Sequence, residues 1–520
     1  MSVVPRVARN DWSRVAVPDL AGWRPSLTVS VVIPAYRCQE TLDLTLASLS
    51  RQTYPADLLE VVVVDDGSEP PIVLPPLRPE RTALVRVDGG GWGRANALHT
   101  GVLHSSGEII HWLDADMVVY PEHVAAQARW QHVLPYAVTL GYKRFVDGPW
   151  PTPAAVAAGP VADLFGDGEP HHYVERYITQ TDGLRAADHE AFKIHVGATA
   201  ALRRSLYEAA GGLDTELRLG EDTELGYRLA QAGAVFVPEP AARSWHLGRT
   251  HVMRAREEVA RYNRPFLVDR IPFPRHWRKV GGTSWTVPLA EVVMPVGDEP
   301  LERVRAAVDS VLRGTEHDVR VTLVGPWDTL DEGRRPVLKD PHLDLRLVAA
   351  TFRGEPRVRL LTTAPTTAFP APFLFELPAA YAIAPDTLKR LVDLADRHRA
   401  GVIEIEGLAL PARLWRTSAR ARAGWVGAAG EPLLDTVAEI HGRRGIDAEA
   451  AGLVDLTRYE PGELASGAGA LFAGRRRSSS LVPSTVEVQG VRSLARATVV
   501  VAWLAGRRVM ARVPSRPRRG

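Results

Sequence analysis

Short apolar runs alternate with helical periodicities through the first half of the chain. The run TVSVVIPAY, which starts at residue 28, is rich in β-branched residues, and the segment after it places leucines on one helical face. A second apolar run, LLEVVVVDDGS, ends at Asp65, Asp66 and Gly67. Strand, helix and strand in this order predict a parallel sheet covered by helices. Such sheets bind ligands beyond the carboxyl ends of their strands, where Asp65 and Asp66 lie.

The pattern continues with two units that end in polar turns. The segment TALVRVDGGGWGRANALHTGV lacks the third glycine of a dinucleotide fingerprint, and no GxxxxGK[ST] motif occurs, so neither NAD nor a P-loop is supported. The next apolar strand ends in Asp114 and Asp116, whose carboxylates can both approach one hard cation. A capped turn is the alternative explanation. Ionised carboxylates beside an apolar run are costly unless they are paired or bind a metal, which favours the metal.

The segment GGLDTELRLGEDTELGYRLAQAG predicts a helix that begins with Glu221 and Asp222 and ends at Gly233. Acidic residues in a first turn cap the helix and complement its dipole, which alone explains their presence. The same dipole keeps carboxylates ionised. An Asp222 that faces the site can therefore accept a proton as a general base.

Five segments occur in a fixed order: VSVVIPAY, VVVVDDGS, GRANALHTG, LDADM and LGEDTELGYRLAQAG. Over about residues 28 to 248 they resemble the family 2 glycosyltransferases of the GT-A fold, an α/β fold with a mostly parallel, Rossmann-like sheet and flanking helices. The resemblance implies transfer of a sugar, with inversion, from a nucleotide diphosphate sugar, UDP-sugar favoured, to an acceptor hydroxyl. It also implies a divalent cation, Mn²⁺ or Mg²⁺, and a saccharide or lipid-linked acceptor in surface polysaccharide or glycolipid synthesis.

The resemblance assigns roles to individual residues. Asp116 is expected to bind the metal, and His246 in the segment SWHLG is a candidate third ligand, although a histidine that is merely hydrogen-bonded explains it nearly as well. Asp222 matches the catalytic base, with Glu221 beside it to orient the acceptor. The nucleotide sugar is expected to contact Pro34, Ala35, Asp65, Asp66, Arg94 and Asp114.

The second half of the chain repeats this pattern without its acids. The segment AEVVMPVGDEPLERVRAAVDSVL aligns with VSVVIPAYRCQETLDLTLASL, so that Pro295 falls opposite Pro34. The alignment replaces the two aspartates of LDADM by Pro378 and Ala380, and it places leucines 433 and 434 opposite the acids of the predicted helix. We therefore expect a second, smaller and degenerate GT-A-like domain. Dimerisation, acceptor-chain binding and positioning of the active domain stay open as its role.

Two connecting segments have their own composition. The insert between residues 145 and 197 carries aromatic and polar residues that suit an acceptor-binding wall, although ordinary loop packing explains them equally well: Trp150, His171, His172, Tyr173 and Tyr177. The segment RYNRPFLVDRIPFPRHWRK is basic and aromatic, as expected of a lid over a diphosphate or of an interdomain linker.

Charge and cysteine content limit the setting. A formal net charge of +2 gives no reason to expect a nucleic-acid partner. The single cysteine, Cys38, needs no oxidising compartment, and the N-terminal segment lacks the pattern of a secretory signal, so we expect a cytoplasmic protein. The apolar run at 497–505 is about half as long as a membrane span. Because arginines flank it, a peripheral contact with the inner face of the cell membrane and a solvated tail are both open.

Two other functions are weighed against glycosyl transfer. A sugar-phosphate nucleotidyltransferase normally needs a glycine-rich basic loop after the first strand, and AYRCQET is not such a loop. A non-catalytic carbohydrate-binding scaffold fits the second half but not the intact acids of the first. The expected organisation is an N-terminal arm (1–27), a catalytic domain (28–248), a lid or linker (249–285), the degenerate domain (286–455) and a connector with a basic tail (456–520).

Overall fold

The computed structural model describes residues 4–87, 89–278, 284–465 and 469–472. The described residues up to 465 form one compact unit. The apolar segment 497–505 and the arginines around it, for which membrane contact was considered above, lie outside the described residues. Within the described ranges, no helix combines the length and the apolar character that a membrane crossing requires.

The first sheet consists of strands between residues 29 and 247. They are β1 (Val29–Ala35), β2 (Leu59–Asp65), β3 (Thr82–Arg86), β4 (Ile109–Trp112), β5 (Met117–Val119), β6 (Ala137–Val146), β7 (Glu169–Pro170), β8 (Ala200–Arg203) and β9 (Val235–Leu247). They lie in the order β3-β2-β1-β4-β8-β6-β9-β5, with β7 paired to β6. Pairing is parallel from β3 to β4 and between β6 and β9, while β8 is antiparallel to both of its neighbours. The predicted α/β fold is confirmed.

Helices cover this sheet where the apolar periodicity predicts them. The leucines of the first helix, at 42, 46 and 49, are buried, and the helix of the acidic segment begins at Glu221, as predicted, and ends two residues before Gly233. The helices are α1 (Gln39–Leu49), α2 (Arg94–Leu103), α3 (His123–Val133), α4 (Pro153–Ala158), α5 (His172–Gln180), α6 (Arg204–Ala209), α7 (Glu221–Gln231), α8 (His251–Arg254) and α9 (Arg256–Arg270).

A second sheet follows between residues 290 and 447. Its strands are β10 (Ala290–Pro295), β11 (Val319–Val324), β12 (Val358–Leu361), β13 (Phe373–Glu376), β15 (Val402–Glu406), β16 (Ala412–Arg416) and β17 (Arg443–Asp447), while β14 (Tyr381–Ile383) pairs with β18 (Leu453–Asp455). The helices are α10 (Leu301–Leu312), α11 (Leu343–Phe352), α12 (Thr387–His398), α13 (Thr417–Val426), α14 (Leu433–His441), α15 (Ala448–Ala451), α16 (Pro461–Leu464) and α17 (Gly469–Phe472).

The second sheet has the strand order β12-β11-β10-β13-β16-β15-β17, which corresponds strand for strand to the first seven positions of the first sheet. The pairings also correspond in direction: parallel from β12 to β13, antiparallel on both sides of β16, and parallel between β15 and β17. That this sheet is a degenerate glycosyltransferase domain stays a prediction, as do the predicted domain limits.

Arg422 of α13 joins the two sheets. Its buried guanidinium donates hydrogen bonds to the backbone carbonyls of Gly233 and Ala234 at the start of β9, and to those of Val7 and Arg9 in the N-terminal arm. Buried carbonyl groups need such partners, because an unpaired one costs about 1–3 kcal/mol. Apolar residues of both sheets also share one hydrophobic cluster, so the two halves are packed as one body.

Candidate active site

A cavity of about 310 Å³ opens at the carboxyl ends of β1 and β4. Its volume lies at the lower end of the range that is typical of small-molecule sites. Most of its lining comes from segments in which the sequence predicts contacts with a nucleotide sugar. The lining residues are Pro34, Ala35, Tyr36, Cys38, Thr41, Asp66, Arg94, Ala97, Asp114, Ala115, Asp116 and Leu247.

Asp114, Asp116 and His246 converge beside this cavity. One ligand atom from each of the three side chains lies within 4.8 Å of the other two. The Nε2 atom of His246 lies 3.7 Å from Oδ1 of Asp116. Both aspartates follow β4, and His246 lies near the end of β9. The antiparallel pairing of β5 with β9 brings them together, because Met117, the residue after Asp116, is opposite His246.

The electrostatics of these three residues fit a divalent cation. Burial and the charge of Asp114 raise the pKa of Asp116 to about 7, and burial lowers the pKa of His246 to about 4. Among the described residues, neither Oδ1 of Asp116 nor Nδ1 of His246 has a hydrogen-bond partner, although both atoms are buried. Carboxylates and a neutral imidazole are suitable ligands for an ion such as Mn²⁺, which would relieve the unfavourable burial of this charge.

Arg94 connects the predicted donor site to the predicted base. Its Nε and Nη2 atoms donate to Oδ1 of Asp114 at 2.9 and 2.8 Å, and its Nη1 atom donates to Oε1 of Glu221 at 2.7 Å. Burial opposes ionisation of Asp114, but the nearby charges of Arg94 and Lys143 outweigh it and lower the pKa of this carboxyl. Burial raises the pKa of Glu221, although Arg94 opposes the shift.

The two aspartates at the end of β2 differ in their surroundings. Asp66 lines the cavity, and its Oδ2 atom accepts a hydrogen bond of 2.7 Å from the backbone of Gly93, the residue before α2. Asp65 is buried and accepts hydrogen bonds from the backbone N–H groups of Ser68 and Ile72. These bonds lower the pKa of Asp65 even though burial acts in the opposite direction. Asp65 therefore stabilises the turn that presents Asp66.

Asp222 occupies the second position of α7, beside Glu221. Gly220 precedes the helix with a φ of 81°, a left-handed conformation that glycine adopts without strain. The Oδ1 atom of Asp222 accepts a hydrogen bond of 2.7 Å from the backbone N–H of Thr223, and its backbone carbonyl accepts one of 2.6 Å from Nδ1 of the buried His195. His195 thus supports the start of the helix, a contact that no sequence motif indicated.

Lys143 is a further charged residue that sequence reasoning missed. It lies on β6 and is only 5% exposed. Burial lowers its pKa, while the charges of Asp114, Asp116 and Asp222 oppose this shift. The only signal in the sequence is a lysine next to Arg144 in a mostly apolar strand, which is a common feature of edge strands as well.

Comparisons with known proteins show which sequences and structures the chain resembles. Residues 30–211 match the model of the family described as Glycosyl transferase family 2. The chondroitin synthase of Escherichia coli is 25% identical over 358 residues, which cover 64% of this chain and 50% of that protein. The probable glycosyltransferase YdaM of Bacillus subtilis is 28% identical over 258 residues, which cover 44% and 53%.

Among solved structures, a mannosyltransferase from Pyrobaculum calidifontis in complex with GDP-Man and Mn²⁺ is 22% identical, with a TM-score of 0.33, and the match covers 52% of this chain and 70% of that one. The chain spans about half the length of the curated relatives it matches. Over residues 30–211, the chain is similar to glycosyl transferase family 2.

Proposed function

We propose that the chain is a metal-dependent, inverting glycosyltransferase that moves a sugar from a nucleotide diphosphate sugar, UDP-sugar favoured, to an acceptor hydroxyl. One observation carries the proposal: the guanidinium of Arg94 bonds both Asp114, beside the cavity, and Glu221, the neighbour of Asp222. The predicted donor site and the predicted base are therefore close to a single side chain. The similarity of residues 30–211 to this family supports the same reaction class.

The cavity residues suit a nucleotide diphosphate. Pro34 and Ala35 offer a backbone and apolar surface to the nucleoside, and Asp66 offers a carboxylate oxygen that has no partner among the described residues. Arg94 and Lys143 are the nearby cations that attract the two phosphates. Asp116 and His246 would hold the divalent cation, which supplies positive charge to the leaving diphosphate when it is bound.

Asp222 is assigned the proton transfer. In the proposed reaction, a bond forms between the acceptor oxygen and the anomeric carbon while the bond from that carbon to the diphosphate oxygen breaks. The acceptor proton goes to the carboxylate of Asp222, and the electron pair of the broken bond leaves with the diphosphate. Attack from the face opposite the diphosphate inverts the anomeric carbon. Glu221, which Arg94 holds, helps to keep the start of α7 in place.

The test is release of nucleoside diphosphate from a panel of UDP-, GDP- and dTDP-sugars, with Mn²⁺, with Mg²⁺ and with EDTA. We expect metal-dependent release from at least one donor. The variant Asp222→Asn should bind that donor normally but transfer its sugar about 10²–10⁴-fold more slowly, because the amide cannot accept the proton. The matched control is Glu216→Gln, at an exposed acidic position, which should leave the rate of transfer unchanged. Near-normal turnover of Asp222→Asn would remove the assignment of the base.

Two alternative functions are outcomes of the same test. Pyrophosphate release from a nucleoside triphosphate and a sugar phosphate would indicate a nucleotidyltransferase. No metal-dependent reaction with any donor, together with saccharide binding, would indicate a non-catalytic carbohydrate-binding scaffold. The cavity, with Asp114, Asp116 and His246 beside it, favours the transferase over both.

The proposed acceptor is a saccharide or lipid-linked saccharide in surface polysaccharide or glycolipid synthesis. We place the enzyme in the cytoplasm, at the inner face of the cell membrane, because arginines flank the apolar run at 497–505. Removal of residues 490–520 should abolish sedimentation with vesicles that contain phosphatidylglycerol. Equal sedimentation with and without these residues would contradict membrane contact through the tail.

A further inference from the structure

Tyr173, in the first turn of α5, is an exposed aromatic residue in the insert between β6 and α7. Its side chain is 46% exposed. A large exposed ring gains little stability for the fold, so a ring that lies beside a reaction site is a candidate for contact with substrate. We call Asp114, Asp116 and His246 the metal triad. The position of Tyr173 relative to this triad decides whether it is such a ring.

A series of ring contacts leads from the metal triad to Tyr173. The ring of His246 lies 4.9 Å from that of Phe145, and Phe145 lies 5.3 Å from His171 at an angle of 90°. His171 in turn lies 4.8 Å from Tyr173 at 86°. Edge-to-face contacts at these distances stabilise aromatic pairs, so the series holds Tyr173 in a defined position relative to His246.

The phenol of Tyr173 also senses the charge at the start of α7. Partial burial and the negative charge of Asp222 raise the pKa of Tyr173 to about 12. The acceptor hydroxyl must lie between the base and the anomeric carbon of the donor. Tyr173, which the ring contacts through His171 and Phe145 connect to His246, is therefore a candidate for contact with the acceptor.

A second cavity continues from the same ring series. It has a volume of about 510 Å³ and shares Phe145 with the series. Its lining combines aromatic rings with charged side chains, among them Phe165, Asp147, Glu169 and Arg249. The Nη2 atom of Arg249 lies 3.1 Å from Oε2 of Glu169. A hydrocarbon chain would leave these charged groups without new partners, whereas sugar hydroxyls can donate to the carboxylates and accept from the guanidinium.

We propose that Tyr173 and His171 form the acceptor subsite and that the adjoining cavity binds the next sugar, so that the acceptor is an oligosaccharide of at least two units. This inference rests on the proposed function, since it concerns the second substrate of the same site. The flat face of the Tyr173 ring contacts the apolar face of the terminal sugar. The charged groups around Arg249 form hydrogen bonds with the hydroxyls of the next sugar of the acceptor.

The test measures binding directly, by isothermal titration of p-nitrophenyl mono- and disaccharides of glucose, galactose, mannose, N-acetylglucosamine, N-acetylgalactosamine and glucuronic acid. Tyr173→Ala should weaken binding of the preferred glycoside about tenfold, and Tyr173→Phe should bind like the unchanged protein, because the ring makes the contact. Arg249→Gln should weaken the disaccharide and leave the monosaccharide unchanged. Tyr459→Ala, at a partly exposed tyrosine in the second half of the chain, should have no effect.

Release of nucleoside diphosphate without acceptor separates this inference from the proposed function. It should be the same for Tyr173→Ala and the unchanged protein. If the unchanged protein releases nucleoside diphosphate, but binds none of the glycosides or binds them equally after Tyr173→Ala, the acceptor subsite is overturned while the proposed function stands. If no donor is cleaved but Tyr173→Ala still abolishes glycoside binding, the saccharide subsite stands and the proposed function fails.

Discussion

The first and second sheets share their framework and differ at the ends of their strands. In both, a serine of the first helix accepts a hydrogen bond from the strand after the site: Ser48 from the N–H of Val119, and Ser310 from that of Ile383. In both, the central strand accepts a hydrogen bond at the end of its neighbour: Val32 from Leu113, and Val293 from Leu377.

The residues that follow those two leucines show the difference. Asp114 and Asp116 are the first and third residues after Leu113, whereas Pro378 and Ala380 are the first and third residues after Leu377. The second sheet still has a cavity there, of about 610 Å³, whose lining is mainly apolar and has its carboxylates at other positions, namely Asp298, Glu299 and Glu376. Core packing therefore maintains the framework without the acids. The framework therefore gives no reason for the acids of the first sheet, which fits the proposed chemistry.

The largest effect is expected when an acid of the first site is removed, as it is at the corresponding position of the second sheet. Asp114→Ala should reduce sugar transfer about 1,000-fold, because it removes a carboxylate from the metal triad and a partner from Arg94. Pro378→Ala, at the corresponding position of the second sheet, should change the rate less than about twofold. Steady-state kinetics with the preferred donor measure both variants.

The comparison fails if Pro378→Ala reduces transfer as strongly as Asp114→Ala does, with both proteins folded. That result would mean that the second cavity takes part in the reaction.

A smaller effect is expected on stability. Burial raises the pKa of Asp116 to about 7, so above pH 7 its ionisation disfavours the folded state relative to the unfolded one. The carboxyl is 35% exposed, and water reduces the effect. Asp116→Asn should therefore raise the midpoint of thermal unfolding by about 2–4 °C at pH 8 without metal. The gain should fall as the pH drops from about 7 toward 4 and vanish near pH 3, below both pKa values, where the carboxyl is protonated in both states.

Calorimetry at the two pH values, with EDTA present, measures this gain. A lower midpoint at pH 8 would mean that the carboxylate of Asp116 stabilises the fold, and the contrast with Ala380 would lose its physical basis.

The smallest expected effect concerns the shared serine contact. Ser48→Ala and Ser310→Ala each leave a buried backbone N–H of the following strand unpaired, so each should lower the free energy of unfolding by about 1–3 kcal/mol. Urea unfolding measures both. The two hydrogen bonds are 3.1 and 3.0 Å long, and both are buried. The two losses of unfolding free energy should therefore agree within about 0.5 kcal/mol. A loss for only one of them would indicate that the two frameworks differ in their packing.

The framework was predictable because apolar periodicity is a local property of the chain. The run at residue 28 and the leucines after it become β1 and α1, and the acidic helix begins at Glu221 as predicted. Motif order also indicated that Asp114, Asp116 and His246 meet, and the pairing of β5 with β9 brings them within 4.8 Å.

The rest of the site depends on contacts between residues far apart in the chain. Arg94 bonds Glu221 across 127 positions, and Lys143 is near the acids only because β6 lies next to β9. No local pattern contains such neighbours. Tyr173 was one of several aromatic residues in the insert, and only the ring contacts with His171 distinguish it from the others.

The bonds of Arg422 give the second half a structural role that does not depend on chemistry at its own cavity. A gene that lost the second half would encode a first half with bare carbonyls at Gly233 and Ala234 and an uncovered apolar face. Proteases and chaperones remove proteins in that condition, so the shortened enzyme would disappear even with every catalytic residue intact. Selection can thus retain the second half for its surface alone.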